Sequence, residues 1–430
     1  MKAIIIGSGL GGLLSAAKLS ESGYEVEIFE RLPIIGGRFT NIVYKGFHLS
    51  TGALHMLPHG PTGPLAQLLK DVGVNIEIVR KKPNVVIRVP RTKKDTDYKF
   101  GHKDILFQDF RTRFSLINRI KLIYYIASTR KNKPSGQTFE HWCKDHLDQD
   151  STYRLADSFF GWALSLKGSD VPVEEGFEII ENLYRFGGPG IPMGGCKGIT
   201  DSLVDVIQSN GGNIYTSAEV SGIETENGRI TGVYVEGQLH KADLVMSDIG
   251  HPATLKLIGD RPEIKGINEY ARKAEELKPS AGIKICLSSD KPLIGHGGVL
   301  LTPYAKRVNG INEVTNVDPG LAPAGKHLTM SHQCVHWEDL DNLEREIELG
   351  LEDLKDIFSG KEYEILLIQS YSNDWPVNRS PSGADLKNKT PVQNLYVVGD
   401  GAKGKGGIEI EGIALGVKNA MENILIKQTI

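Results

Sequence analysis

The feature that most constrains this chain is a glycine-rich turn between a short strand and a helix near its amino-terminal end. A β-branched run at residues 3–6 leads into Gly7-Ser8-Gly9-Leu10-Gly11-Gly12, after which apolar residues recur at helical spacing over 13–22. In this GxGxxG pattern Gly7 permits the tight turn, Gly9 lets the backbone approach a pyrophosphate, and Gly12 lets the helix pack closely on the strand. The unpaired N–H groups at the start of the helix are suited to binding the phosphates. The segment therefore predicts the opening of a βαβ unit that binds a dinucleotide.

An acidic residue stands where such a unit needs one. Glu30 follows the second predicted strand, 24–29, and lies roughly twenty residues after the glycines, where a carboxylate accepts hydrogen bonds from a ribose diol. The spacing supports a nucleotide site and leaves NAD, NADP and FAD open as its occupant.

The amino-acid composition excludes several other classes of protein. The chain has 430 residues, and at roughly 150 residues per domain this predicts two or three domains. Hydrophobic residues are 40% and charged residues 24%, as in folded globular proteins. Lys and Arg number 50 against 53 Asp and Glu, so the net charge of -3 gives no argument for a nucleic-acid partner. The 49 glycines have no collagen period and indicate local turns and close backbone contacts.

Cysteine and histidine usage argues against a metal or disulfide framework. Cys143, Cys196, Cys286 and Cys334 lie far apart without a CxxC pair, which predicts reduced thiols in a reducing compartment. His332 and His336 lie four apart in a strand-like stretch without a third ligand, so no metal is expected.

The amino terminus and the hydropathy pattern bear on location. Met1 runs almost directly into the first strand and the glycine turn, leaving no room for a signal peptide, and no run of about 18 apolar residues suggests a transmembrane segment. A cytoplasmic location is expected. The stretch 107–130 mixes apolar residues with Arg119, Lys121 and Arg130, and predicts either a solvated basic face on a core helix or peripheral membrane contact.

A second motif narrows the dinucleotide. Glu30 is followed by Arg31 and then by Gly36-Gly37-Arg38, and this pairing resembles the FAD fingerprint of the amine oxidase and phytoene desaturase superfamily. The resemblance implies that Arg38 runs beside the FAD pyrophosphate, a role that suits a guanidinium fork.

Further segments carry the same resemblance. Ser50-Thr51-Gly52-Ala53-Leu54 resembles the segment under the isoalloxazine, and 218–223 resembles the one whose valine, here Val220, holds the adenine through its main chain. The strand 394–398 with Gly399 and Asp400 resembles the late strand whose acidic residue binds the ribityl chain. Gly412-Ile413, at the start of the last predicted helix, matches a dipeptide whose N–H groups point at flavin O2, where a helix amino terminus stabilises negative charge. Residues 318–325 resemble a stretch of carotenoid desaturases and isomerases, which favours that branch.

Two residues are candidates for catalysis. Ile283-Lys284-Ile285 resembles an amine oxidase strand whose lysine holds a water near flavin N5, whereas the alternation of the strand predicts that Lys284 faces solvent. His55 follows the Gly52 segment and either moves a proton at the flavin or is an ordinary hydrogen-bonded histidine.

The carboxy-terminal loop departs from the resemblance. It carries Lys403, Lys405, Glu409 and Glu411 where family desaturases tend to have a neutral loop rich in proline and glycine. No cysteine lies near this flavin motif, so the resemblance implies non-covalent FAD.

These observations predict an α/β fold with a discontinuous Rossmann-type FAD-binding domain, residues 1–56, 191–266 and 376–430, interleaved with an α+β substrate domain, 57–190 and 267–375. The resemblance implies an FAD-dependent oxidoreductase of phytoene desaturase type, with hydride transfer between flavin N5 and an apolar, isoprenoid- or carotenoid-like substrate, and an electron acceptor that is left open. Two alternatives stand beside it: an amine oxidase-like flavoenzyme, which Lys284 and the carboxylates Glu409 and Glu411 would favour, and a non-catalytic carrier of prenyl lipids.

Overall fold

The computed structural model describes residues 1–113, 115–129, 133–147 and 150–425. The strands are β1 (Lys2–Ile6), β2 (Glu25–Phe29), β3 (Asn41–Tyr44), β4 (Phe47–Ser50), β5 (Ile78–Val79), β6 (Val85–Pro90), β7 (His102–Leu106), β8 (Ile191–Pro192), β9 (Asn213–Tyr215), β10 (Val220–Glu226), β11 (Arg229–Val235), β12 (Gln238–Lys241), β13 (Leu244–Ser247), β14 (Ala281–Ser289), β15 (Val299–Leu301), β16 (Gly310–Glu313), β17 (His327–Val335), β18 (Glu364–Tyr371) and β19 (Leu395–Val397). The α-helices are α1 (Leu10–Glu21), α2 (Pro64–Asp71), α3 (Leu116–Thr129), α4 (Phe139–His146), α5 (Asp150–Leu164), α6 (Val173–Phe186), α7 (Gly195–Ser209), α8 (His251–Ile258), α9 (Ile267–Glu275), α10 (Leu343–Ile357) and α11 (Ile410–Leu425).

The first sheet is parallel, with strand order β19-β13-β1-β2-β9. All five strands lie within residues 1–56, 191–266 and 376–430. Side chains of β1 alternate between its two faces: Ile5 packs with α1, α7 and α11, whereas Ile4 and Ile6 pack toward the antiparallel hairpins β10-β11-β12. Burial on both faces explains why this strand is an uninterrupted apolar run.

The second sheet is mixed, with order β18-β14-β17-β16-β15-β6-β7. Its strands come from residues 57–190 and 267–375. One face packs on α10, where Ile283 and Ile285 belong to one hydrophobic cluster with Leu354. The other face joins a cluster with α4, α5 and α6 that includes Cys286. Consequently all nine residues of the inner strand β14 are buried.

Two helices begin earlier than the periodicity predicts. The first was expected from residue 13 and begins at Leu10, and the last was expected from Gly412 and begins at Ile410. Glycines have low intrinsic helix propensity, so a pattern of apolar residues starts only after them. In the structure tertiary packing of the glycines overrides that preference.

The basic stretch 107–130 forms a short 3₁₀ helix, Phe107–Arg113, followed by α3. Arg130 lies outside the described residues. Over the part of the chain that the structure describes, no helix combines the length and apolarity needed to cross a bilayer.

Candidate functional site

A cavity of about 610 Å³ opens where the two sheets meet the glycine turn. Its walls include the turn after β1, the Gly52 segment, part of α5 and the start of α11. Of the predicted cofactor residues, those that line it are Gly7, Gly9, Leu10, Glu30, Arg31, Gly36, Gly37, Arg38, Gly52, Ala53, Leu54, Val220, Asp400 and Ile413. Gly11, Gly12 and Gly399 lie just behind this wall, where their backbones pack against each other and against lining residues, and Gly412 packs against Gly407 and Lys403.

The glycine turn has no room for side chains. A Cβ on Gly12 would lie 2.2 Å from the carbonyl oxygen of Gly7, and one on Gly11 would lie 2.5 Å from the amide nitrogen of Gly399. Gly7 itself has a φ of 92°, a conformation that favours glycine. The loop after β19 therefore packs directly on the first turn of α1 and keeps the amino terminus of that helix open.

Glu30 is already oriented by the turn that it faces. One carboxylate oxygen, Oε2, accepts hydrogen bonds from the backbone N–H and the hydroxyl of Ser8, both at 2.8 Å, and Oε1 accepts from Leu32 N–H at 2.9 Å. A carboxylate offers about four acceptor positions, and three are used by these hydrogen bonds, so Glu30 keeps about one position for a ribose hydroxyl.

Two guanidinium groups share one carboxylate at the cavity wall. Arg38 Nη2 lies 2.6 Å from Asp400 Oδ2, and Arg379 Nη1 lies 2.8 Å from Asp400 Oδ1. Arg38 Nη1 also donates to the carbonyls of Pro376 and Val377. Burial alone would raise the pKa of Asp400, but the two arginines outweigh it and hold that pKa below its usual range. The group of three carries one net positive charge, which suits an anionic ligand.

Asp248 lies at the same edge and was not singled out from the sequence. It follows β13 and lines the cavity beside Gly9, whose Cβ would lie 2.4 Å from Asp248 Oδ2. Burial raises the pKa of Asp248 to about 7, against the opposing effects of a hydrogen bond from the Gly12 amide and of nearby arginines. Its neighbourhood is where the phosphates of a bound dinucleotide are expected.

The Gly52 segment is held from behind by Lys284. The Nζ of this lysine donates to the carbonyls of Ser50 at 2.5 Å and Gly52 at 2.6 Å, and Tyr371 Oη also donates to the Gly52 carbonyl at 2.8 Å. The expectation that Lys284 faces solvent is wrong: its side chain is fully buried, because both faces of β14 are covered. Burial lowers the pKa of Lys284 to about 8.

His55 is also fully buried. Its Nε2 lies 2.8 Å from the carbonyl oxygen of His48, and its Nδ1 accepts from the amide of Cys196 at 3.2 Å. Burial lowers its pKa to about 3. Among the described residues, neither His55 nor Lys284 lines the cavity. The hydrogen bonds of both side chains therefore hold nearby backbone segments in position.

Two glutamates with different surroundings lie where α11 begins: Glu409 immediately precedes the helix and Glu411 is in its first turn. Glu411 is fully buried and accepts from the backbone amides of His59 at 3.1 Å and Leu65 at 2.8 Å. Glu409 lines the cavity between Ile408 and Ile410. The amide of Ile413 donates to the carbonyl of Glu409 at 3.0 Å, so that amide is already hydrogen-bonded within the helix, whereas Gly412 lies in the first turn, where amides lack helical acceptors.

These residues fit FAD. The backbone of the turn is free of side chains where a pyrophosphate would approach, Glu30 keeps acceptor capacity for a ribose, and two guanidiniums face the same cavity. When bound, FAD supplies hydride transfer at N5. The chain's own contribution is to bind and orient the cofactor and its substrate.

Comparison with known proteins agrees with this fit. Residues 10–414 match the family model of flavin containing amine oxidoreductases. The chain belongs to that family. A crystal structure of an oxidoreductase from Methanosarcina mazei is 59% identical, with a TM-score of 0.96 over 98% of this chain and 100% of the other. An uncharacterized protein of Methanocaldococcus jannaschii is 43% identical over 99% of both chains.

More distant relatives of this flavin amine oxidoreductase define its branch. A neurosporene-forming phytoene desaturase of Cereibacter sphaeroides is 24% identical over 71% of this chain and 64% of its own length. Carotenoid desaturases and prolycopene isomerases recur among these relatives. The protein is thus an FAD-dependent oxidoreductase in a carotenoid-desaturase-like branch of the superfamily.

Two site residues of this oxidoreductase were missed from the sequence. Asp248 could have been found, because it directly follows a strand that pairs in parallel with β1, and ligands bind at the carboxyl ends of such strands. Arg379 had no such signal, since it lies in a loop whose position depends on the tertiary fold.

Proposed function

We propose that this flavin amine oxidoreductase transfers hydride between flavin N5 and an apolar, isoprenoid- or carotenoid-like substrate. The observation that carries the proposal is the apolar part of the cavity wall. Met56, Trp162, Ala163 and Ile408 line the cavity and belong to one hydrophobic cluster, against which Leu54 also packs. Small-molecule cavities are lined mostly by apolar side chains, and an apolar wall of this kind is suited to burying the surface of an apolar ligand. The carotenoid desaturases among its relatives support the same substrate class.

The amine oxidase alternative loses most of the residues that favoured it. An ammonium ion in an apolar cavity needs an ionised partner. Glu411 is committed to backbone amides, Lys284 is committed to the Ser50 and Gly52 carbonyls, and burial raises the pKa of Glu409 to about 8. At neutral pH Glu409 is therefore mainly uncharged, which suits an apolar substrate better than a cationic one.

If the protein were a non-catalytic carrier of prenyl lipids, the residues that bind the nucleotide would be expected to be lost. Here Glu30, Arg38 and the glycine turn keep the hydrogen bonds and the backbone packing that FAD needs. We therefore favour the enzyme. A purified protein that is colourless and cannot be reconstituted with FAD would support the carrier instead.

Substrate class can be tested on the holoenzyme. We expect anaerobic addition of phytoene in detergent to bleach the visible absorption of the bound flavin, and putrescine to leave it unchanged. Extraction of the purified protein with organic solvent, followed by mass spectrometry, should recover a co-purifying polyprenyl lipid. Bleaching by putrescine alone would establish the amine alternative and contradict this proposal.

We also propose that the outer face of α3 rests on an anionic lipid surface, from which an apolar substrate would be delivered. Leu116, Ile117, Ile120 and Ile123 are between 61% and 71% exposed and follow helical spacing on one face. The helix also carries Arg119 and an exposed Lys121. Exposed apolar residues with flanking basic groups are typical of helices that lie in a membrane interface.

Flotation with phosphatidylglycerol–phosphatidylcholine vesicles tests this surface. We expect the wild type to float with the vesicles and an Ile117→Asp/Ile120→Asp double variant to remain behind. Val43→Asp, a change at an equally exposed apolar residue on β3 (67% exposed), should float like the wild type. Equal flotation of the double variant would contradict the lipid contact, as would a concentration-dependent dimer that the double variant abolishes in the absence of vesicles.

A further inference from the structure

Glu409 is a carboxyl group in the cavity with an uncommitted oxygen. It precedes α11, and its side chain lines the cavity together with the neighbouring Ile408 and Ile410. Among the residues that the structure describes, its Oε1 atom has no hydrogen-bond partner although it is shielded from bulk solvent. Asn378 donates to the carboxyl group. An acidic oxygen that is buried beside apolar side chains without a hydrogen-bond partner lowers the stability of the fold. Stability therefore does not explain why a glutamate stands here.

The backbone at Glu409 is strained as well. Its φ is 41°, in the left-handed region that non-glycine residues avoid at a cost of roughly 1–2 kcal/mol. Gly or Asn would adopt this conformation more easily. Since neither the backbone nor the packing explains a glutamate here, the strain points to a use for its side chain.

The neighbouring glutamate shows what a structural carboxylate looks like in this loop. Each oxygen of Glu411 accepts a hydrogen bond from a backbone amide, and these bonds tie the start of α11 to the segment 59–65. Glu409, two residues earlier, has no such pair of amides within the described chain. The two carboxyl groups therefore differ in role: Glu411 holds backbone segments together, and Glu409 does not.

The charges around Glu409 allow it to exchange a proton. Burial raises its pKa to about 8, while Lys403, Arg38 and the Asn378 hydrogen bond act in the opposite direction and Asp400 adds to the rise. Lys403 is itself held by the Ser380 carbonyl at 2.5 Å and by Asp385 at 3.0 Å. The proton therefore resides on Glu409 at neutral pH, and the carboxylate left by its departure has cations nearby.

Other titratable groups near the cavity are engaged elsewhere. The Tyr371 hydroxyl donates to the carbonyls of Thr51 and Gly52, and both ring nitrogens of His55 contact backbone groups. Asp248 lies against the glycine turn, where the phosphates are expected. Glu219 and Asp374 also line the cavity, whereas Glu409 lies between Ile410 and Ile408, and Ile408 belongs to the apolar part of the wall.

We propose that Glu409 is the catalytic acid and base of this cavity, passing a proton between its carboxyl oxygen and a carbon of the substrate. The proposal rests on the proposed function, because it takes the substrate to be an apolar alkene. In the forward step the O–H bond breaks and its electron pair stays on Glu409, while the π pair of the alkene forms the new C–H bond and leaves a carbocation on the neighbouring carbon. In the reverse step a C–H bond next to that cationic carbon breaks, its pair fills the cationic centre and forms the double bond, and the carboxylate takes the proton.

The first test reads the bound flavin rather than turnover. We expect the visible absorption spectrum of the holoenzyme to change with pH around a midpoint near 8, because ionisation of Glu409 alters the field at the flavin. Glu409→Gln should abolish the transition, and Glu409→Asp should retain one. Glu422→Gln, the same change at an exposed residue on α11, should leave it in place. Persistence of the transition in Glu409→Gln would overturn the proposal.

The second test follows the proton into the substrate. With phytoene in deuterated water, we expect mass spectrometry to find deuterium incorporation that falls at least about 100-fold in Glu409→Gln and is partly restored in Glu409→Asp. Undiminished incorporation in Glu409→Gln would refute the role. A wild type that incorporates no deuterium would count against the alkene substrate, whereas the flavin titration still decides whether Glu409 is the titrating group. If Glu409→Gln does not fold, Glu409→Asn, which tolerates the left-handed backbone, replaces it in both tests.

Discussion

Arg38 and Asp400 are separated by 362 residues in the chain, yet their side chains form an ion pair of 2.6 Å at the wall of the cofactor cavity. The guanidinium is 15% exposed and the carboxylate 8%. Arg379 binds the second oxygen of the same carboxylate. This cluster links the segment after β2 to the loop after β19.

Replacing Arg38 should weaken both the fold and the cofactor site. Arg38→Ala leaves Asp400 paired with Arg379 alone and removes the hydrogen bonds of Arg38 to Asp400, Pro376 and Val377, so we expect it to lower the free energy of unfolding by about 1.5–3 kcal/mol. Its FAD content after gel filtration should fall at least tenfold. Arg272→Ala breaks an exposed pair with Glu276 and should cost under about 1 kcal/mol. Wild-type flavin content in Arg38→Ala would contradict the assignment.

Gly12 tests the packing of the turn. In a helix, alanine is normally preferred to glycine by about 1 kcal/mol, but here its Cβ would lie 2.2 Å from the Gly7 carbonyl oxygen. We expect Gly12→Ala to lower the unfolding free energy by about 1–3 kcal/mol and to reduce FAD binding, measured by urea unfolding and flavin fluorescence. Gly222→Ala meets its nearest atom only at 3.5 Å and is the matched control. A stabilised Gly12→Ala would show that the turn can open freely.

Asp248 should make FAD binding depend on pH. Its pKa is raised by burial to about 7, so it becomes negative as the pH rises through that value, and a negative charge beside the phosphates opposes binding. The Kd of the apoprotein for FAD, measured by fluorescence quenching, should therefore rise between about pH 6 and 8. Asp248→Asn should bind with a flatter pH dependence. Parallel curves for the two proteins would rule this explanation out.

Lys284 should couple stability to alkaline pH. Its folded-state pKa is lowered by burial to about 8 from 10.5, so between these values the unfolded chain holds more protons than the folded one, and the free energy of unfolding rises with pH. At about 1.4 kcal/mol per pKa unit, the rise approaches about 3 kcal/mol. We expect urea unfolding to show it as a difference between wild type and Lys284→Met. Lys241→Met, at an exposed lysine, should follow the wild-type curve, and a Lys284→Met curve that does the same would contradict the prediction.

Much of the fold and of the cofactor site could be predicted from local sequence motifs. The glycine turn and Glu30 were accessible because their roles depend on spacing within one βαβ unit, and the structure places both at the cavity. The same holds for Asp400, which follows a short buried strand. Such residues are specified by their immediate neighbours in the sequence.

Residues whose roles depend on distant packing were not accessible in this way. Lys284 alternates with isoleucines as on a half-exposed strand, but β14 lies inside a seven-stranded sheet with both faces covered. Glu409 and Glu411 looked equivalent, and only the position of the segment 59–65 separates them. The place of Arg379 in the site depends on how its loop packs against the carboxyl end of β19, which the sequence does not show.

The order of strands in the nucleotide sheet has a consequence for synthesis. β1 occupies residues Lys2–Ile6 and β19 residues Leu395–Val397, and both flank β13 in the same sheet. Because chains emerge from the ribosome amino terminus first, the glycine turn is made before β19 and α11, and the site is incomplete until both have been translated. FAD can therefore meet a complete site only after β19 and α11 have been translated, so truncations that remove α11 should be released as apoprotein.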